Sequence, residues 1–213
     1  MTKLFQKQAY LLVAFIVMSF SSLTHASDFT EGVEYLKINP PVMTTVDKGQ
    51  VEVVELFWYM CPHCFHFEPV INKWKKTKAK NVVFKRVPAI FSPRWRFFAK
   101  VYYTIRLLGI EEKVHGPLFN ALHEKRQRIG NANAMAKFVE KVAGVKPQKF
   151  MDVFSSFSVD AKVRKAEDLS KRYKAQGVPT LVVNGKWRTG GKIAGGHDGM
   201  IKVLNHLIKI ESK

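Results

Sequence analysis

The sequence predicts an α/β domain interrupted by a long helical block, and three observations carry that prediction. An apolar, β-branched run at 51–58 (VEVVELFW) leads through Cys-Pro-His-Cys into a helical pattern and then a second strand pattern at 81–88. Residues 93–176 change to helical periodicity throughout. The strand pattern returns only at 180–189, with an amphipathic helix after it.

Taken in order, the chain begins with a leader at 1–26. Lys3 and Lys7 precede an unbroken apolar run at 9–18, and polarity returns at SFSSLTHAS, where Thr24-His25-Ala26 offers a small residue for cleavage. This is the pattern of a cleaved secretory signal peptide, and the apolar part is far shorter than the roughly 20 residues a membrane span needs. Residues 27–50 read as extended and loop-like, broken by Pro40-Pro41 and Lys48-Gly49. The run at 51–58 is apolar at nearly every position, as in a central strand covered on both faces. Phe65, Phe67, Val70, Ile71 and Trp74 then mark a helix that Pro69 is expected to kink. With the strand at 81–88 (NVVFKRVP), this makes a right-handed βαβ unit.

In the helical block, Phe97, Val101, Ile105 and Leu108 share one face, and Gly109 ends that segment. Further helices are expected at 117–123, 133–143, 147–157 and 159–176. Strands at 180–183 and 186–189 flank Asn184-Gly185, a strong two-residue hairpin signal. A last helix at 197–210 should turn Ile201, Leu204, Leu207 and Ile208 inward. No internal repeat or low-complexity segment is visible.

The formal net charge is +18. The basic residues are scattered singly, apart from KWKKTKAK at 73–80, which favours a solvated basic surface over a dedicated polyanion site. An export signal also argues against a nucleic-acid partner.

The only two cysteines are Cys61 and Cys64. A structural zinc site needs four converging ligands, and His63 and His66 do not complete one, so no metal is expected. Covalent haem needs a histidine directly after the second cysteine, and residue 65 is Phe. A purely structural disulfide would close too short a loop to constrain the unfolded chain much. A redox-active dithiol fits best. Pro62 suits the first helical position, which makes Cys61 the cap. Its sulfur then faces free N–H groups and the positive end of the helix dipole, which stabilise a thiolate. Cys64, three residues on, lies on the same face, and His63 adds positive charge. Cys61 is therefore expected as the exposed nucleophile and Cys64 as the more buried resolving thiol.

CPHC after a strand rich in aromatics, a helical block, and Gly177-Val178-Pro179-Thr180 far downstream together resemble the DsbA family of thiol:disulfide oxidoreductases. The resemblance spans essentially all of the chain after the leader. It implies a thioredoxin-like fold with an inserted helical domain. A first thioredoxin-like segment at 27–92 holds the active site, the helical insertion occupies 93–176, and a second thioredoxin-like segment at 177–213 holds the cis-proline loop. The resemblance also implies a strongly lowered cysteine pKa, no cofactor, and a periplasmic oxidase that donates its Cys61–Cys64 disulfide to reduced, unfolded exported proteins. A DsbB-like membrane oxidase would restore that disulfide. Pro179 matches the family's cis-proline loop facing the dithiol, with Val178 and Thr180 beside it to meet substrate. Glu55 and Lys85 each interrupt an apolar strand, and a buried Glu55–Lys85 pair is expected beneath the dithiol, tuning proton transfer from Cys64. An isomerase or reductase of the same superfamily remains an alternative, although isomerases of the DsbC type carry an N-terminal dimerisation domain and none is visible here. A monomer is expected. A redox-inert binding or chaperone module is the remaining alternative, and the presence of both cysteines argues against it.

Overall fold

The computed structural model describes residues 29–212, and the leader expected at 1–26 lies outside the described residues. Five strands form one mixed sheet in the order β1-β5-β4-β2-β3. At its centre β2 (Val51–Phe57) is buried at every position, as its unbroken apolar pattern requires. It pairs in parallel with β3 (Val82–Pro88), Val51 opposite Val82 and Phe57 opposite Pro88. On its other side it runs antiparallel to β4 (Thr180–Val183). The hairpin to β5 (Trp187–Gly190) turns at Asn184 and Gly185, both with positive φ, at 48° and 63°. Gly185 is obligatory on a second count, because a Cβ there would lie 1.9 Å from the Val42 carbonyl oxygen. The segment expected to be loop-like also contributes β1 (Leu36–Lys37), which pairs antiparallel with β5. Two residues are too few to show a period in the sequence.

Helix α1 (Pro62–Thr77) is the crossover between β2 and β3 and continues through Pro69. On the sheet face it covers, Val51, Val53, Phe67, Ile71 and Trp74 form a core with Leu204 and Leu207 of α7 (His197–Glu211). The inward face of α7 is centred differently from the sequence expectation: Met200, Val203, Leu204 and Leu207 are buried, and Ile201 and Ile208 flank them half-buried.

The helical block covers the opposite face. After a 3-10 turn at Pro93–Trp95 come α2 (Arg96–Leu107), α3 (Glu111–His123), α4 (Ala132–Ala143), α5 (Pro147–Phe154) and α6 (Phe157–Arg172). Their apolar faces meet Phe57, Tyr59 and Leu56 in the larger core, with Tyr102, Phe119 and Phe150 among its bulkiest members. Sequence alone starts α3 at Pro117, the usual place for proline. The helix begins instead at Glu111, whose charge with that of Glu112 favours its N-terminus. Burial of Val114, Leu118 and Phe119 offsets the hydrogen bond that Pro117 forfeits. The break between α5 and α6 is set by Ser156, whose hydroxyl accepts the Val159 N–H.

Candidate active site

β2 delivers the chain to the dithiol at the carboxyl end of the central strand, and the Cys61 N–H closes the turn on the Trp58 carbonyl at 2.9 Å. Cys61 is the N-cap of α1, in extended conformation, with Pro62 in the first turn. Both cysteines are free thiols. Cys61 is 8% exposed and Cys64 1%, so Cys61 is the more accessible sulfur, though largely covered itself. Its thiol donates to the Val178 carbonyl at 3.4 Å, which places the Val178–Pro179 loop directly over it. The Val178–Pro179 peptide is cis. Thr180 anchors that loop: its hydroxyl donates to the Gly177 carbonyl at 2.7 Å, and its backbone registers with Leu56 and Gly190.

The electrostatics separate the two sulfurs. Cys61 is lowered to about 6, first by a hydrogen bond from the Cys64 thiol, which outweighs the opposing cost of burial. Backbone N–H groups of Cys64 and His63 follow, and the charge of exposed His63 contributes least. Sequence reasoning puts the helix terminus and His63 first, since it has no measure of the second thiol as a donor. Cys64 is raised well above the ordinary thiol range by burial, by Cys61, and further by the charge of Glu55.

Glu55 is completely buried, as expected, but its partner is not Lys85. In the parallel register Glu55 lies opposite Arg86, while Lys85 lies opposite Val54 on the other face. Lys85 instead pairs with Glu52 at 2.6 Å and reaches the Thr45 hydroxyl. Arg86 donates from Nε to Glu55 Oε2 at 3.0 Å and from Nη2 to Glu68 Oε1 at 3.0 Å, and approaches Glu111 at 3.8 Å. Glu55 Oε1 is buried with no hydrogen-bond partner. Burial, opposed by Arg86 and assisted by the Glu68 charge, raises the Glu55 carboxyl to about 7. Burial would also raise Glu68, but hydrogen bonds from His115 and Asn72 and the Arg86 charge hold it below the ordinary carboxyl range.

His115, which the sequence alone gives no role, is buried in this network. Burial lowers its pKa, favouring the neutral ring. The neutral tautomer that fits receives the Tyr59 hydroxyl at Nδ1, 2.7 Å, and donates from Nε2 to Glu68, 3.1 Å. No sequence signal distinguishes His115 from an ordinary helical histidine. Around the dithiol, Trp58 stacks on Trp95 at 4.0 Å, and His123 stacks on Phe65 while its Nε2 hydrogen-bonds the Tyr59 carbonyl. Among the described residues no three His, Cys, Asp or Glu side chains are grouped to hold a metal.

A family model described as DSBA-like thioredoxin domain matches residues 86–207. The chain belongs to the DsbA family. Similarity to individual members extends well beyond that segment and across the dithiol. The thiol:disulfide interchange protein DsbA of Pseudomonas aeruginosa PAO1 is 37% identical over 203 residues, covering 94% of this chain and 95% of the relative. DsbA of Burkholderia cepacia is 40% identical over 178 residues, covering 84% of each. A crystal structure of P. aeruginosa DsbA superposes with a TM-score of 0.82 at 38% identity, covering 87% of this chain and 96% of that one. The oxidoreductase DsbA of Xylella fastidiosa gives 0.80 at 30% identity, over 87% and 98% of the two chains. This DsbA-family chain therefore has the thioredoxin-like fold with its helical insertion.

Proposed function

We propose that this protein is a periplasmic thiol:disulfide oxidoreductase that donates the Cys61–Cys64 disulfide to reduced, unfolded exported proteins. The observation that carries the reading is the asymmetry of the pair: a lowered Cys61 at a helix cap under the Val178–Pro179 loop, with a raised Cys64 behind it. In the disulfide form a client thiolate attacks Cys61 Sγ. The Cys61–Cys64 bond breaks, and Cys64 leaves with the electron pair and takes up a proton. The client's second thiolate then attacks the client sulfur of the mixed disulfide and expels Cys61 as a thiolate. The client is oxidised by two electrons, and the protein is left as the dithiol. A leaving group stabilised as Cys61 is speeds the second step and makes the disulfide oxidising.

We assign Glu55 as the carboxyl that exchanges a proton with Cys64, Arg86 as the fixed charge that holds Glu55, and Val178 and Thr180 as the backbone beside which the client strand lies. Export through the leader at 1–26, action as a monomer, and restoration of the disulfide by a DsbB-like membrane oxidase complete the proposal. Equilibrating the Cys61–Cys64 couple with glutathione and following oxidation of a reduced, unfolded client tests it. Rapid stoichiometric oxidation with poor rescue of a scrambled client is expected. A pair found mostly reduced in the exported protein in cells, with efficient rescue of scrambled client, would reverse the assignment to isomerase.

A further inference from the structure

A groove of about 510 Å³ opens beside the dithiol. It runs from His63 over Val178 and Pro179 to Arg188 and Lys192, with His197 on its margin, and no acidic side chain lines it. Arg188 is the unusual member. It sits on β5 opposite Val182 on one side and Leu36 on the other, half-buried. Among the described residues it makes no ion pair, and its Nε is buried without a hydrogen-bond partner. The buried guanidinium of Arg86, by contrast, has carboxylates on it. Half-exposed Arg96 and Arg106 are likewise paired, with Glu167 and Glu111.

A half-buried guanidinium with an orphaned donor carries a desolvation cost that nothing among the described residues offsets. The Nε–H is shut away from the groove, so the Nη end of the guanidinium is what a ligand meets there. Its complement is a carboxylate, whose two oxygens match paired N–H donors. Lys192 adds long-range attraction of the same sign. The apolar part of the lining, Leu36, Val178, Pro179 and Ile193, suits the rest of an extended peptide. Because Val178 both lines the groove and accepts the Cys61 thiol, a segment lying there is adjacent to the reacting sulfur.

We propose that Arg188 is a specificity-determining residue that selects unfolded client segments carrying an aspartate or glutamate close in sequence to the reacting cysteine. The proposal rests on the reading of the chain as a client oxidase. It adds that clients are not taken up on apolar character alone: an acidic side chain fills the Arg188 end of the groove while the client cysteine lies at Cys61.

The test uses unstructured dithiol peptides, acetylated and amidated so that no terminal carboxylate competes. Each carries one Glu at successive positions from the first cysteine and is compared with its Gln isostere. Oxidation by the disulfide form of the protein is followed by tryptophan fluorescence. Rates are normalised to each peptide's rate with a small neutral disulfide, which removes the effect of Glu on the peptide's own thiol. At one or more positions the Glu peptide should react about tenfold faster. Arg188→Gln should bring that ratio close to one, and Arg188→Lys should keep part of it. Lys141→Gln, on the exposed side of α4, should leave it intact. Equal normalised rates for Glu and Gln at every position overturn the selectivity while leaving the oxidase reading standing. A ratio lowered as much by Lys141→Gln as by Arg188→Gln also overturns it, since overall charge would then be the cause. Failure to oxidise any peptide would remove the oxidase reading itself, and this proposal with it.

Discussion

Cys61 makes the stability gap between the dithiol and disulfide forms depend on pH by an amount that follows from its position. Its thiol is held at about 6 in the folded dithiol form, against about 8.5 in an unfolded chain. A folded pKa below the unfolded one stabilises the folded state. The gain is fully present above the unfolded value and is lost as pH falls through the folded one. Within that window each pH unit contributes up to about 1.4 kcal/mol, so the ideal change from pH 5 to pH 8 is about 2.5 kcal/mol. Cys61 is not fully enclosed, and solvent screening reduces this to about 2 kcal/mol. The disulfide form has no titrating sulfur, and most other ionisable groups are common to both forms and cancel in the difference. Loop closure by the disulfide favours that form by an amount that does not depend on pH. Urea unfolding of both forms at pH 5 and pH 8, followed by far-UV circular dichroism with matched m-values, measures the gap. It should move toward the dithiol by about 2 kcal/mol at the higher pH. A gap that moves by less than about 0.5 kcal/mol would refute the stabilised Cys61 thiolate and with it the oxidising character assigned to the pair.

Three further outcomes follow from the dithiol and the network beneath it. Glu55 is an acid whose folded pKa, about 7, lies above its unfolded value, so its cost to stability grows as pH rises from about 4.5 and saturates above about 7. Glu55→Gln should therefore stabilise the fold at pH 8 relative to its effect at pH 5 by about 2 kcal/mol, and equal effects in urea melts at the two pH values would contradict the buried carboxyl's titration. Arg86→Met strands two buried carboxylates and should cost about 3–5 kcal/mol. Lys85→Met should cost only about 1 kcal/mol, because Thr45 still hydrogen-bonds Glu52, and the reverse order in thermal or urea unfolding would restore Lys85 as the important cation. His63→Ala should raise the Cys61 pKa less than Cys64→Ala does, since the Cys64 thiol is the largest stabiliser of the thiolate and the His63 charge the smallest. Ultraviolet thiolate absorbance against pH gives both values, and a larger shift in the His63 variant would overturn that ranking.

Legibility in the sequence follows the range of the interaction that fixes each feature. The strand at 51–57, the cap at Cys61 and the turn at Asn184-Gly185 are specified by adjacent residues, and all three stand where the local pattern puts them. The family resemblance supplies the order of the segments. β1 is invisible in the sequence because its two residues are extended only through pairing with β5. The start of α3 is misplaced by sequence alone because a local proline rule is outweighed by burial of Leu118 and Phe119 against distant parts of the chain. The expected partner of Glu55 is wrong by one residue for a similar reason. Lys85 and Arg86 are neighbours on one strand, and only the register with β2 decides which of them shares a face with Glu55.

That one-residue difference changes the chemistry of the site. A lysine beneath the dithiol could give up its own proton when buried, whereas a guanidinium stays charged at any working pH. Arg86 is thus a fixed cation around which Glu55, Glu68 and Glu111 are arranged. Glu68 has Asn72 and His115 as additional donors and is held as the anion. Glu111 has Arg106 and the Tyr102 hydroxyl. Glu55 has Arg86 alone and keeps one oxygen unpaired. Completely buried and with one oxygen unpaired, Glu55 is a carboxyl whose proton is added and removed near neutral pH. It is also the carboxyl whose charge Cys64 senses. In the proposed mechanism the buried sulfur that must gain a proton on leaving, and lose it when the disulfide is restored, therefore lies within electrostatic reach of a carboxyl that titrates near neutral pH.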